Sequence, residues 1–228
     1  MDGLKEPAQE WEPFNRPLFE SPKTRDLSRV AVIDIGSNSV RLVVFDGAAR
    51  SPAYFFNEKV MCALGAGLAE TGKLNPEGRT RALSALRRFC SITKGIGLPD
   101  LTAVATAAVR EASDGPEFVA QVFEETGLKI HVINGPEEAR LSAQGVLLGW
   151  PGSYGLVCDI GGASMELAEI SDGKVGQRLT TPLGPLKLIN IKGGKKGRKA
   201  FITKTLDDLR ATMGPQSDRL FLVGGSWR

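Results

Sequence analysis

Asp34-Ile35-Gly36-Ser37-Asn38-Ser39 and, 125 positions later, Asp159-Ile160-Gly161-Gly162-Ala163-Ser164 are two copies of one turn. Each follows an apolar run, at 30–33 and 155–158, and precedes a second strand-like run, at 40–45 and 165–170. Over the twelve positions from each aspartate, Asp, Ile, Gly, Ser and Leu recur in register. Strand, Gly-containing polar turn and strand make a β-hairpin whose tip offers backbone N–H groups and hydroxyls but little bulk. Such a tip suits close approach to phosphate oxygens. Two of them predict two half-domains facing one phosphate-bearing ligand.

Outward from the first hairpin, 53–60 reads as a third strand, followed by the Gly-rich loop Leu64-Gly65-Ala66-Gly67-Leu68. Pro76 stands at a helix start, and Leu83, Leu86, Phe89 and Cys90 recur at helical spacing up to Gly95. A buried strand is expected at 101–106, a helix capped by Asp114 and running to Gly127, and a strand at 129–133. Pro136 opens the next helix, which carries Glu137, Glu138 and Arg140 and ends near Gly149. The pattern then begins again: hairpin 155–170, a strand near 177–183, a basic helix around 199–209 and a strand at 219–223. Antiparallel hairpins followed by crossovers imply an α/β fold of mixed sheets with helices on their faces, in two copies around a cleft.

Composition narrows the chemistry. The 228 residues suffice for one large or two small domains, and the net charge is only +3. Lys192, Lys195, Lys196, Arg198 and Lys199 form a basic run that reads either as solvated surface or as a polyanion contact. Cys62, Cys90 and Cys158 are odd in number and lack a CxxC spacing, which points to a reducing, cytoplasmic setting without disulfides or a zinc site. The single histidine, His131, reads as an ordinary strand residue and builds no metal centre or triad. Residues 1–29 are polar and proline-punctuated and read as a flexible extension; no apolar stretch of the ~20 residues that span a membrane is present.

With these motifs in place, the chain resembles the exopolyphosphatase/guanosine pentaphosphate phosphohydrolase (Ppx/GppA) family, of the actin-like, sugar-kinase superfamily of ribonuclease H-like folds. The resemblance runs through Ile33-Asp34-Ile35-Gly36-Ser37-Asn38-Ser39-Val40-Arg41-Leu42, Ala105-Thr106-Ala107-Ala108-Val109-Arg110-Glu111-Ala112 and Ile133-Asn134-Gly135-Pro136-Glu137-Glu138-Ala139-Arg140. It continues in Cys158-Asp159-Ile160-Gly161-Gly162-Ala163-Ser164-Met165-Glu166-Leu167, Pro182-Leu183-Gly184 and Val223-Gly224-Gly225-Ser226. One such turn is a weak signal; ordered motifs from residue 30 onward are a strong one.

The resemblance implies a first ribonuclease H-like lobe at 30–133, a connecting helix at 134–150 and a partial second lobe at 151–228. It implies hydrolysis of phosphoanhydride bonds, in inorganic polyphosphate or guanosine pentaphosphate, with magnesium or another divalent cation. Neither a nucleic acid duplex nor a membrane is an expected partner, and a homodimer is left open. Glu138 matches the family's base, Asp159 and Glu166 its metal positions, and Arg110 its phosphate-contacting arginine. Ser37, Asn38, Ser39, Gly161, Gly162 and Ser164 match the phosphate cradle, with Arg41 a weaker candidate. By residue type alone, Glu137 and Glu138 also suit a helix N-terminus, Asp159 a turn and Glu166 a solvent-facing strand.

Two departures from the family are visible. The second turn reads Gly-Gly-Ala-Ser-Met-Glu where the family often has Gly-Gly-Gly-Ser-Thr-Glu, so Ala163 limits positive φ and Met165 removes a hydroxyl. The family also continues beyond the Gly224-Gly225-Ser226 turn. A binding module that keeps the cradle, and an ATP-dependent kinase or actin-like protein, are therefore the competing readings. For the second lobe the expectation is an apolar strand at 219–223 left unpaired on one side and a lobe less stable than the first.

Overall fold

The computed structural model describes residues 29–45, 54–98 and 101–227, so the expected N-terminal extension lies outside the described residues but for position 29. The first sheet holds β1 (Val30–Ile35), β2 (Ser39–Phe45), β3 (Tyr54–Met61), β4 (Leu101–Ala105) and β5 (Ile130–Val132), in the order β3-β2-β1-β4-β5. The second holds β6 (Gly155–Ile160), β7 (Met165–Ser171), β8 (Lys174–Thr181) and β9 (Leu220–Val223), in the order β8-β7-β6-β9. The three hairpin strands are antiparallel and the crossover strands parallel in both. The sequence repeat is therefore a structural repeat, with β6–β9 retracing β1–β4.

Period-2 alternation sets the first core. Ala31, Ile33 and Ile35 of β1 and Val40, Leu42 and Val44 of β2 are fully buried on one face. The face is covered by α2 (Pro76–Gly95) and α4 (Gly115–Thr126), whose Leu86, Phe89, Phe118 and Val122 complete the cluster. Burial of such side chains contributes about 1.5–3 kcal/mol each. α2 starts as read: Pro76 is its first residue and the Asn75 side chain accepts the Gly78 N–H at 2.7 Å.

The expected Asp114 cap is corrected. Its carboxylate makes no capping bond to α4; it accepts the Leu74 N–H at 2.9 Å and Arg79 at 3.1 Å, tying α4 to the start of α2. Three one-turn helices escaped the periodicity reading: α1 (Leu68–Thr71), α3 (Ala107–Glu111) and α6 (Pro185–Leu188). Four or five residues are too few to show a 3.6-residue period. β8 ends at Thr181 rather than 183, because Pro182 has no N–H to continue the ladder.

The second sheet is covered on both faces. α5 (Gly135–Gly149) lays Ala139, Ala143 and Val146 against Val157, Ala168 and Ile170. α7 (Gly194–Met213) packs Phe201, Ile202, Leu209 and Met213 over Cys158, Met165, Leu167 and Leu183 on the other. Small alanines on α5 and β7 let the helix sit close to the sheet. No helix among the described residues is long and apolar enough to cross a membrane.

Candidate active site

Both hairpin tips close in the same way: Gly36 N–H donates to Ser39 O at 3.0 Å and Gly161 N–H to Ser164 O at 3.0 Å. The strands below them bring equivalent residues opposite each other, Asp34 across from Arg41 and Asp159 across from Glu166. The seven-residue separation, ambiguous across an unknown turn, thus places Asp159 and Glu166 side by side on one face. Glu166 is 1% exposed, so it is not the solvent-facing strand residue its type suggested.

The tips meet. A Cβ added to Gly162 would lie 3.0 Å from the Ser37 Cβ, and one added to Gly65 3.1 Å from the same atom. Gly162 is required for this approach and not for its backbone, since neither it nor Ala163 has positive φ. Ala163 therefore carries no backbone penalty, because the turn does not ask for a left-handed residue there. Gly184 seats the second tip. Its Cβ would be 2.2 Å from the Ala163 carbonyl carbon, while Leu186 N–H donates to Gly162 O at 2.9 Å. Gly224, at φ 99, similarly leaves room for the Asp159 carboxylate, which a Cβ would meet at 2.8 Å.

Between the tips lies a cavity of about 580 Å³ lined by Ser37, Asn38, Ser39, Glu138, Asp159, Gly161, Gly162 and Ser164. Asp34, Arg41, Lys59, Thr106 and Gly224 also line it. Arg110 and Glu166 are not among the lining residues; they stand directly behind it. Arg110, from α3, donates to Ile133 O at 2.7 Å and to Glu138 Oε2 at 3.2 Å. The adjacent Glu137 instead pairs with Arg140 (2.8 Å from Nε), and its N–H is capped by Asn134 Oδ1 at 2.8 Å.

The position of Glu138 follows from helix geometry. The stripe Ala139, Ala143, Val146 faces the sheet on the same side as Asp159 and Glu166, so Glu138 and Ser142, one turn apart, reach the carboxylates at the strand ends. Ser142 Oγ donates to Asp159 Oδ2. Gly135 butts the helix start against Thr180 (2.4 Å to an added Cβ), and Thr180 Oγ1 donates to Glu166 Oε1 at 2.9 Å. Glu166 Oε2 and Ser164 Oγ are buried without a hydrogen-bond partner among the described residues.

Burial raises the proton affinity of all three carboxylates in this wall, and the charge of Asp159 adds to it at Glu138 and Glu166. Burial, then the negative charge of Glu166, pushes Glu138 from 4.5 up to about 8, against the pull of Arg110. Burial also raises Asp159 and Glu166. Asp34 opens into the cavity, yet desolvation and the facing Asp159 raise it, with Arg41 and Lys59 opposing. No role is legible for Asp34, Lys59, Ser142 or Thr180 in the sequence motifs, although the register match of Asp34 to Asp159 is a signal for the first.

Among the described residues no group of three His, Cys, Asp or Glu is arranged to hold a metal ion. A pair is. Asp159 and the unpartnered oxygen of Glu166 offer hard oxygen donors on one face, and magnesium takes one or two carboxylates together with water and phosphate. The donor set fits that cation.

The model of the Ppx/GppA phosphatase family matches residues 43–194. The chain is 32% identical over 163 residues to "Exopolyphosphatase 1" of Mycobacterium tuberculosis, covering 70% of this chain and 47% of that protein. The chain thus spans about half the length of the curated relatives it matches. A crystal structure of an exopolyphosphatase from Cytophaga hutchinsonii matches with a TM-score of 0.78 at 26% identity, over 88% of this chain and 68% of that one. An Aquifex aeolicus PPX-GPPA enzyme matches with a TM-score of 0.75 at 27% identity, over 88% and 69%. With two-thirds of its length under the family model, the chain belongs to the Ppx/GppA phosphatase family.

Proposed function

We propose that the cavity binds the end of an inorganic polyphosphate chain and that water cleaves the terminal phosphoanhydride bond there, with Glu138 as general base. The observation that carries this reading is the Glu138 carboxylate itself. It lines the cavity beside two Ser/Gly turns, and burial that pushes its pKa up to about 8 makes its ionised form a stronger base than an ordinary carboxylate, available as a proton acceptor at mildly alkaline pH.

Each group has a definite role. Backbone N–H groups of both tips, the Ser164 turn included, and the hydroxyls of Ser37 and Ser39, with Asn38, hold the phosphate oxygens; the close contact of the tips lets both lobes grip one phosphoryl group. Glu138 takes a proton from the attacking water as oxygen bonds to phosphorus, and the departing polyphosphate oxygen leaves with the electron pair. Arg110 keeps the Glu138 carboxylate oriented and limits its rise in pKa. Asp159 and Glu166 would hold a divalent cation, which when bound supplies positive charge to phosphate oxygens and lowers the mutual repulsion of the carboxylates. Ser142 and Thr180 fix the two carboxylates by donating to them.

The test is phosphate release from long-chain polyphosphate, guanosine pentaphosphate and ATP with magnesium, for the chain and for Glu138→Gln. Release from polyphosphate that falls about 10²–10⁴-fold in the variant, with binding retained, supports the reading. Near-normal turnover in Glu138→Gln removes the base assignment, and faster release from guanosine pentaphosphate replaces the substrate.

A further inference from the structure

Arg110 and Glu111 are neighbours on α3, and their opposite charges reach two different elements. Arg110 donates to Glu138 Oε2 on α5 at 3.2 Å, whereas Glu111 Oε2 lies 2.7 Å from Lys187 Nζ on α6. α3 belongs to the first lobe, where Ala108 and Val109 sit in the core. α5 and α6 belong with the second sheet, through Ala139, Ala143 and Val146 on one face and Leu188 on the other. The five residues of α3 thus send two ion pairs across the seam between the lobes. The ion pairs of Arg79, Arg81, Arg87 and Arg88, by contrast, stay within the first lobe.

Packing leaves this part of the seam open. A cavity of about 100 Å³ lies there, lined by Leu68 and Ala69 of the first lobe and Ala163 and Leu186 of the second, with Glu111 and Lys187 in its wall. Leu186 reaches both lobes, its Cδ1 3.3 Å from a Cβ added to Gly162 and 3.4 Å from one added to Gly65. α6 moves with the second tip, because Leu186 N–H donates to Gly162 O and Gly184 is pressed against Ala163. The side chains of Glu111 and Lys187 are 33% and 30% exposed, so their attraction is partly screened and modest. Its consequence is geometric: it ties the helix that carries Arg110 to the helix that braces the second tip. Local sequence gives Glu111 no other task, since the adjacent cation, Arg110, is engaged at Glu138 and at Ile133 O.

We propose that Glu111 and Lys187 are positioning residues: their ion pair sets the spacing of α3 and α6, and so holds Arg110 and Glu138 in line with the phosphate gripped by the two tips. The consequence for catalysis rests on the polyphosphate reading of the large cavity; the spacing role does not. Neither residue lines that cavity, so the pair acts through Arg110 and through α6. Without it the contact of Ser37 with Gly162 remains and phosphate is still held, but the base drifts relative to the bound phosphoryl group. A displacement of about 1 Å costs as much as about 10²-fold in rate.

The experiment compares the full chain with Glu111→Gln, Lys187→Met and the exchanged pair Glu111→Lys/Lys187→Glu. Spin labels on Glu124→Cys of α4 and Asp208→Cys of α7, exposed positions in the two lobes, report the lobe spacing by pulsed electron paramagnetic resonance. A Cys90→Ala background keeps label off that half-buried thiol, Cys62 and Cys158 being buried. Phosphate release from long-chain polyphosphate gives kcat and KM for the same proteins. The expected result is that both single variants broaden the distance distribution and lower kcat about tenfold with KM within about twofold, and that the exchanged pair recovers both. An unchanged distribution in the single variants overturns the spacing role. A broadened distribution with native kcat overturns the role in catalysis. A loss that the exchanged pair does not recover overturns the ion pair as its cause. An unsubstituted chain that releases no phosphate from any polyphosphate overturns the polyphosphate reading alone, and broadening in the single variants then still supports the spacing role.

Discussion

Glu138 carries two consequences that can be separated in the laboratory. Folding raises its pKa from 4.5 to about 8, so between those values the folded chain keeps a proton that the unfolded chain has lost. Stability therefore falls as pH rises from about 4.5 to 8, by an amount of order a few kcal/mol for this one carboxyl. Denaturant unfolding at pH 5 and pH 8 should show the loss, and Glu138→Gln should flatten it; an equally steep fall in the variant would place the titration elsewhere. Asp159 gives a second prediction. Asp159→Asn removes charge from the proposed cation position, so the magnesium concentration for half-maximal phosphate release should rise. Unchanged magnesium dependence would leave Asp159 only its hydrogen bond from Ser142.

At the scale of elements, the tips are set by close contacts that only glycine allows. Gly184→Ala puts a methyl carbon within 2.5 Å of Ala163 and Ser164 backbone atoms, so α6 and the second tip must separate. A cost of about 1–3 kcal/mol is expected, as for other overpacked sites, together with weaker phosphate binding. Gly162→Ala is the milder companion, pressing 3.0 Å from the Ser37 Cβ and driving the two tips apart. Urea denaturation and polyphosphate affinity measured on both variants check this. A Gly184→Ala protein with native affinity would mean that the tip geometry is adjustable. These contacts also explain why α6 matters although it is one turn long: it is the brace behind the turn.

For the whole molecule, the two sheets share one topology but not one degree of protection. β1 lies between β2 and β4, with Ala31, Ile33 and Ile35 fully buried. Among the described residues β9 stands at the end of its sheet, with Leu220 and Leu222 55% and 53% exposed, while Phe221 and Val223 pack toward α5. Native-state hydrogen exchange should protect β1 and β4 far more than β9. Comparable protection of β9 would show that its single ladder to β6 suffices.

How much was legible beforehand depends on the range of the interaction. The repeat, the long helices, the succession of elements within each copy and the family motifs are local patterns: period 2, period 3.6, prolines at helix starts and glycines in turns all act within a few residues. They placed Glu138 near the start of α5 and Asp159 and Glu166 on either side of a turn. What residue order leaves open is which side chains share space. Asp114 could not be distinguished from an ordinary cap, nor Glu166 from a solvent-facing strand residue, because both outcomes use the same local sequence. The tertiary structure decided these. It packed α5 on the Asp159 face through small alanines, set Arg110 behind Glu138, and brought Ser37 against Gly162 across 125 residues. Burial and mutual repulsion, which tune a carboxylate toward catalysis, arise only from that convergence, whereas the composition of each turn was already written in the chain.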